Sequence, residues 1–159
     1  MRVMARFALA AVAALALVAC NGETTASGGV EKIVSTTSFG MCVGYCTTRL
    51  EVSATEAVLV RQARGGRGAP DGKPDQRFAR PLAANEWAEI AVLAAATKID
   101  SLPETIGCPD CADGGAESLS IVGPGRNKTI TFDHGAAIKE AQPLLDRVRA
   151  LRQKLTPQE

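Results

Sequence analysis

The chain has 159 residues, 46% of them hydrophobic, and a formal charge of +1; that length sets a single domain as the expectation. Setting aside the first 19 residues removes Arg2 and Arg6 and leaves 16 Lys and Arg against 17 Asp and Glu, a formal charge of −1. This balance argues against a nucleic-acid binder, which carries a strongly basic footprint, and against an acidic disordered tail. Five aromatics remain (Phe39, Tyr45, Phe78, Trp87, Phe132), so the core is expected to be mainly aliphatic.

The amino end has the pattern of an export signal. Arg2 and Arg6 make a positive start, and Phe7 to Val18 is an uncharged apolar run of 12 residues. A membrane-spanning helix needs about 20 residues, so the run fits the apolar segment of a signal peptide over residues 1–19. It ends Leu17-Val18-Ala19-Cys20, which resembles a bacterial lipobox. That resemblance implies cleavage before Cys20, diacylglycerol on its sulfur and an acylated amino end such as palmitate. The implied partner is the membrane, reached through several acyl chains, which anchor more firmly than one. Asn21 stands where an Asp would signal inner-membrane retention, which leans the expectation towards the outer membrane with the domain facing the periplasm or the cell surface. Residues 20–29 carry the lipidated cysteine and a Gly/Ser/Thr-rich flexible tether, and residues 30–159 are expected to form the domain.

In chain order, Val30 to Ser38 reads as a strand. Thr47 to Ser53 alternates as a half-buried strand, and Ala57 to Gln62 follows as its hairpin partner. Ala63 to Pro81, with four glycines and Pro70, Pro74 and Pro81, reads as a long exposed loop, within which Arg77 to Leu82 pairs only briefly at an edge. Asn85 to Thr97 is a predicted helix. Its apolar face is Trp87, Ile90, Ala91 and Ala94, with Asn85 as N-cap, and Pro103 blocks any continuation. Asp100 to Gly115 reads as irregular. Ser118 to Val122 and Lys128 to Asp133 form a second hairpin across residues 123–127. The last helix runs from about Ala137 or Pro143 to Leu155, with Leu144, Val148, Leu151 and Leu155 as its buried stripe. The order points to an α+β domain: an antiparallel sheet of about four to five strands with two helices packed on one face.

Four cysteines remain beyond Cys20. Cys42 and Cys46 have three residues between them, and Cys108 and Cys111 stand in Cys-Pro-Asp-Cys. An exported domain sits where thiols oxidise, so two structural disulfides are the leading expectation, and four cysteines allow three pairings. Two readings compete with it. A thiol–disulfide redox module would use Cys108 and Cys111, but such a motif needs its first cysteine at a helix start. Gly114 and Gly115 oppose a helix there, and Asp110 and Asp113 disfavour a thiolate. A zinc site would gather all four sulfurs tetrahedrally. Between pairings, short loops close with little entropy, which favours Cys42 with Cys46 and Cys108 with Cys111. A crossed pairing would constrain the unfolded chain more.

Ser38-Phe39-Gly40-Met41-Cys42-Val43-Gly44-Tyr45 resembles the Cys-Phe-Gly-x-Cys-Pro-x-Tyr signature of a family of small exported bacterial domains of unknown function. In that family the motif leads into a β-hairpin and then a Trp-containing helix, a place that Trp87 fits. Ser38 stands for the first cysteine and Val43 for the proline, and Cys46 is additional, so the family's cysteine pair does not carry over and Cys42 needs another partner. The resemblance implies a fold and a compartment, and no activity.

Little else carries chemistry. His134 is the single histidine and, after a strand, reads as a polar turn residue ahead of a general base. No Gly-x-Ser-x-Gly elbow occurs. Residues 123–129 resemble a phosphate loop only in Lys128-Thr129, and a strand follows where a helix should. Asn127-Lys128-Thr129 has the pattern of a glycosylation sequon. Arg61, Arg64, Arg67, Lys73, Arg77 and Arg80 against Asp71 and Asp75 could meet an anionic envelope partner, although a solvated loop explains them as well. The expectation is a lipid-anchored, disulfide-braced binding or structural domain, without catalytic activity, cofactor or metal, with a protein or other envelope partner.

Overall fold

A computed structural model describes residues 29–64 and 73–157. The signal segment, Cys20 and most of the tether therefore lie outside the described residues, as do residues 65–72 of the basic stretch.

Seven strands form one sheet in the order β4-β3-β2-β1-β6-β7-β5. They are β1 (Lys32–Ser38), β2 (Gly44–Ser53), β3 (Glu56–Arg64), β4 (Gln76–Pro81), β5 (Thr105–Ile106), β6 (Ala116–Gly123) and β7 (Arg126–Asp133). All neighbours are antiparallel except β5, which lies parallel to β7. The expected antiparallel sheet of four to five strands is thus overturned: the sheet is mixed and larger. Two segments account for the difference. β4 pairs with β3 over six residues, from Arg61 opposite Gln76 to Glu56 opposite Pro81. Its alternation shows only Phe78 as a large apolar residue, because an edge strand needs backbone partners more than a greasy face and is commonly blunted by charge and proline. β5 is two residues long and is made by tertiary contact alone, with Thr131 N–H donating to the Glu104 carbonyl at 2.8 Å.

Alternation sets the two sheet faces. Ile33, Leu50, Val52, Ala57, Leu59, Leu119, Ile121, Ile130 and Phe132 point to one face and are fully buried. The two helices, α1 (Ala84–Ala96) and α2 (Gln142–Leu155), cover that face. α1 contributes Trp87, Ile90, Ala91 and Ala94, and α2 contributes Leu144, Leu145, Val148 and Leu151. The opposite face carries Thr36, Arg49, Glu51, Ser118, Ser120 and Thr129, as expected of an antiparallel sheet open to water on one side. Across it Ser120 and Thr129 hydroxyls lie 2.7 Å apart.

α1 starts one residue before Asn85, so Asn85 is not its N-cap; Ala83 holds that place. With no capping side chain there, Glu86 reaches back instead, its Oε2 accepting the Ala83 N–H at 3.4 Å. Arg80 on β4 grips the same carboxylate at 2.8 and 2.9 Å. The Arg80 hydrogen bond first, and then the Ala83 N–H, hold the Glu86 carboxyl down at about 2. α2 starts with Pro143 in its first turn, where the missing N–H costs nothing. Among the described residues no helix is long and apolar enough to cross a membrane.

Candidate functional site

The strand directions sort the loops between the two ends of the sheet. β1 enters beside the β6–β7 turn, where Glu31 N–H donates to the Val122 carbonyl at 2.8 Å. It leaves at the opposite end, where Ser38 faces Thr47 and Ala116. The segments after β1, β5 and β7 all emerge at this second end. Both cysteine pairs and His134 are therefore gathered on one rim, a strand length from where the amino-terminal segment joins the fold.

Each expected cysteine pair closes on itself. Cys42 and Cys46 are at disulfide distance with Cα atoms 5.5 Å apart, and so are Cys108 and Cys111 with Cα atoms 5.5 Å apart. Cys46 is the extra residue of a β-bulge, between the pairs Tyr45–Ala63 and Thr47–Gln62, and such bulges re-aim side chains at sheet rims. It is 2% exposed, and its carbonyl accepts the Phe39 N–H at 3.1 Å. The loop so closed lifts Met41 and Val43 into solvent, 79% and 77% exposed.

The two cysteine loops also touch each other. Asp110, between Cys108 and Cys111, accepts the Gly40 N–H on Oδ1 at 3.1 Å. From the other side Arg64 Nη1 donates to the Gly40 carbonyl at 2.7 Å. A side chain at residue 40 would collide with the Asp110 carboxylate, which gives Phe39-Gly40 its structural reason. Phe39 packs edge-on against His134 with ring centroids 4.9 Å apart. It also lies over Gly115, where any Cβ would strike the ring and the backbone is left-handed at φ 81°. Gly115→Ala is therefore expected to cost about 2 kcal/mol or more, since the backbone alone carries 1–2 kcal/mol. A urea midpoint indistinguishable from the parent would contradict this packing.

The Cys108–Cys111 loop has an unusual backbone. Asp110, Ala112 and Asp113 are all left-handed, with φ of 62°, 51° and 59°. The expected absence of a helix after Cys111 is found: a single 3-10 turn, Cys111–Asp113, takes its place. Cys108 accordingly has no helix N-terminus beneath it. Its N–H donates to Asp133 Oδ2 at 3.4 Å.

The described part of the basic stretch is woven into the sheet. Arg61 stacks over the Tyr45 ring at 4.4 Å, with Lys73 at 5.8 Å. The Tyr45 hydroxyl donates to the Pro74 carbonyl at 3.2 Å. Arg77 pairs with Glu56 at 3.9 Å, Arg80 with Glu86 and Arg64 with Gly40. Arg67 lies outside the described residues.

One charged cluster escaped the sequence reading. Glu117 on β6 is 1% exposed and sits on the covered face of the sheet. From α2, Arg149 reaches its Oε2 at 2.7 Å, and Arg152 its Oε1 at 3.1 Å. Arg152 also hydrogen-bonds the buried Ser35 hydroxyl on β1, and Arg149 donates to the Ala136 carbonyl at 2.8 Å. Burial pushes the Glu117 carboxyl up, but the Arg149 hydrogen bond and the two guanidinium charges outweigh it and hold it below the usual range. Glu117 falls in phase with Leu119 and Ile121, and a carboxylate on an apolar strand face was the available signal.

His134 packs its ring on Phe39 and its N–H on the Gly115 carbonyl at 3.1 Å. Among the described residues no group of three or more His, Cys, Asp or Glu is placed to hold a metal ion. A polar cleft of about 370 Å³ between β5 and β7 is lined by Thr105, Asn127, Thr129 and Thr131. Its two charged residues, Lys128 and Glu104, lie 3.9 Å from each other. The chain matches no protein-family model, and no curated protein matches it.

Proposed function

We propose that this chain is a lipid-anchored protein of the bacterial envelope whose disulfide-braced rim binds a protein partner without catalysis. The carrying observation is the Met41–Val43 tip: two large apolar side chains in water on a loop closed by Cys42–Cys46 and tied at Gly40 from both sides. A loop already ordered loses little entropy on binding, and apolar residues held out on it are better explained by contact than by folding.

The lipobox resemblance at Cys20 and the direction of β1 support a rim that points away from the anchor. The amino-terminal segment joins one end of the sheet, and the tip stands at the other, about 23 Å away for seven residues. This favours a protein partner in the envelope over the lipid surface. The Phe39-Gly40 packing and the position of Trp87 after the hairpins support the resemblance to the exported family of unknown function.

Two measurements test the reading. Cys20→Ser is expected to abolish palmitate labelling and release the chain from the membrane fraction; unchanged labelling and detergent partitioning would overturn the anchor. A photo-crosslinker at position 43 in cells is expected to give a discrete protein adduct that Met41→Ser diminishes and that a crosslinker at Thr55, on the opposite end, does not give. Adducts to lipid alone, or the same adducts from both positions, would overturn the binding rim.

A further inference from the structure

We propose that Cys108–Cys111 is a thiol–disulfide exchange site that accepts two electrons from a dithiol, and that its opening releases the Met41–Val43 loop. The two cysteine pairs differ in access: Cys108 and Cys111 are both exposed, whereas Cys46 of the other pair is buried. They differ also in backbone. Asp110 inside the ring between Cys108 and Cys111, and Ala112 and Asp113 just after it, are held in left-handed conformations. Side chains other than glycine resist that region, Ala112 most of all, having no polar group to compensate. No left-handed residue other than glycine is found in the Cys42–Cys46 loop. Cleaving the Cys108–Cys111 bond frees the backbone to relax, and strained, exposed disulfides are the ones that exchange.

The step balances. A thiolate of the reducing dithiol attacks one sulfur, the bond between Cys108 and Cys111 breaks, and the departing sulfur takes a proton. The second thiol of the reductant, as thiolate, then displaces the remaining cysteine from the mixed disulfide, and that cysteine is protonated in turn. The chain gains two electrons and two protons, and the reductant leaves as a disulfide. The carboxylates of Asp110 and Asp113 do not oppose this assignment, because the attacking thiolate belongs to the reductant.

Asp110 couples the bond to the tip. Its N–H donates to the Gly115 carbonyl at 3.0 Å, and Cys111 N–H donates to the Cys108 carbonyl at 3.0 Å. These bonds and the disulfide aim the Asp110 carboxylate at Gly40. Opening the ring withdraws one of the two ties on Gly40 and leaves that of Arg64. The exchange chemistry stands whether or not the tip binds a protein, since both readouts below lie within the chain itself.

The full-length chain, solubilised in detergent, is equilibrated in graded mixtures of reduced and oxidised dithiothreitol, quenched with an alkylating agent and peptide-mapped. Cys108 and Cys111 are expected to become alkylated together at a reduced-to-oxidised ratio at least tenfold below that which opens Cys42 and Cys46, with Trp87 emission still native. Opening of both pairs at one ratio, or only as Trp87 emission reports unfolding, would overturn the site. Amide exchange over residues 39–43 is expected to quicken at least tenfold in that selectively reduced protein, and equally in oxidised Asp110→Gly. Asp110→Asn, which keeps an acceptor and tolerates the left-handed backbone, is expected to retain slow exchange. Exchange there that ignores both reduction and Asp110→Gly would overturn the coupling.

Discussion

Glu117→Ala is expected to lower stability by about 3–5 kcal/mol, because it strands two guanidinium groups in a largely buried site with their shared counter-charge removed. The carboxylate bridges Arg149 and Arg152 across the interface of β6 and α2, so its loss weakens the docking of the carboxy-terminal helix. The cluster is not a free gain for the fold: Arg152 Nε is buried with no partner, and desolvating three charges is costly. Glu117→Leu with Arg149→Leu and Arg152→Leu should therefore lose much less than the single variant. A triple variant as damaged as Glu117→Ala would show that the ions themselves, and not the stranded charges, set the cost.

The same residue gives a pH dependence. Its folded carboxyl lies below the ordinary value of 4.5, so the ionised pair contributes stability that is fully present above that value and is lost as pH falls through the lower, folded one. Comparing denaturant midpoints of the parent and Glu117→Gln, the gap is expected to be constant near pH 7 and to shrink below about pH 4.5. A gap that widens on acidification would reverse the sign and the assignment.

Trp87→Ala is expected to cost about 3–5 kcal/mol, a large share of the 5–15 kcal/mol typical of a whole domain. Trp87 is only 9% exposed, and it belongs with Ile90, Ala94 and the sheet residues to the buried core cluster. Circular dichroism in urea reads the loss, since the variant has no tryptophan left to report it. In the parent, Trp87 emission should be blue-shifted and resist iodide quenching. A loss below about 1 kcal/mol would mean that the ring lies on the core without filling it.

What could be read from the chain alone was what local spacing encodes. Trp87, Ile90, Ala91 and Ala94 repeat at helical period and are buried on α1. Leu144, Val148 and Leu151 do the same on α2. Leu119 with Ile121 and Ile130 with Phe132 alternate and face the core. Cysteines three and four positions apart stand at disulfide distance within their own loops, since a short loop brings its ends together at little entropic cost. Contacts between distant segments decided the rest. β5 exists because Thr105 and Ile106 lie beside Thr131 and Phe132 and leaves no periodic mark, whereas β4, read in the sequence as a brief edge pairing over Arg77 to Leu82, pairs over its full six residues. Gly40 and Asp110 meet across 70 positions, and Glu117 meets Arg149 across 32. Periodicity reports which side of its own element a residue occupies. Which charge that side will face depends on how the sheet and helices stack, and that is set by the burial of the whole core at once.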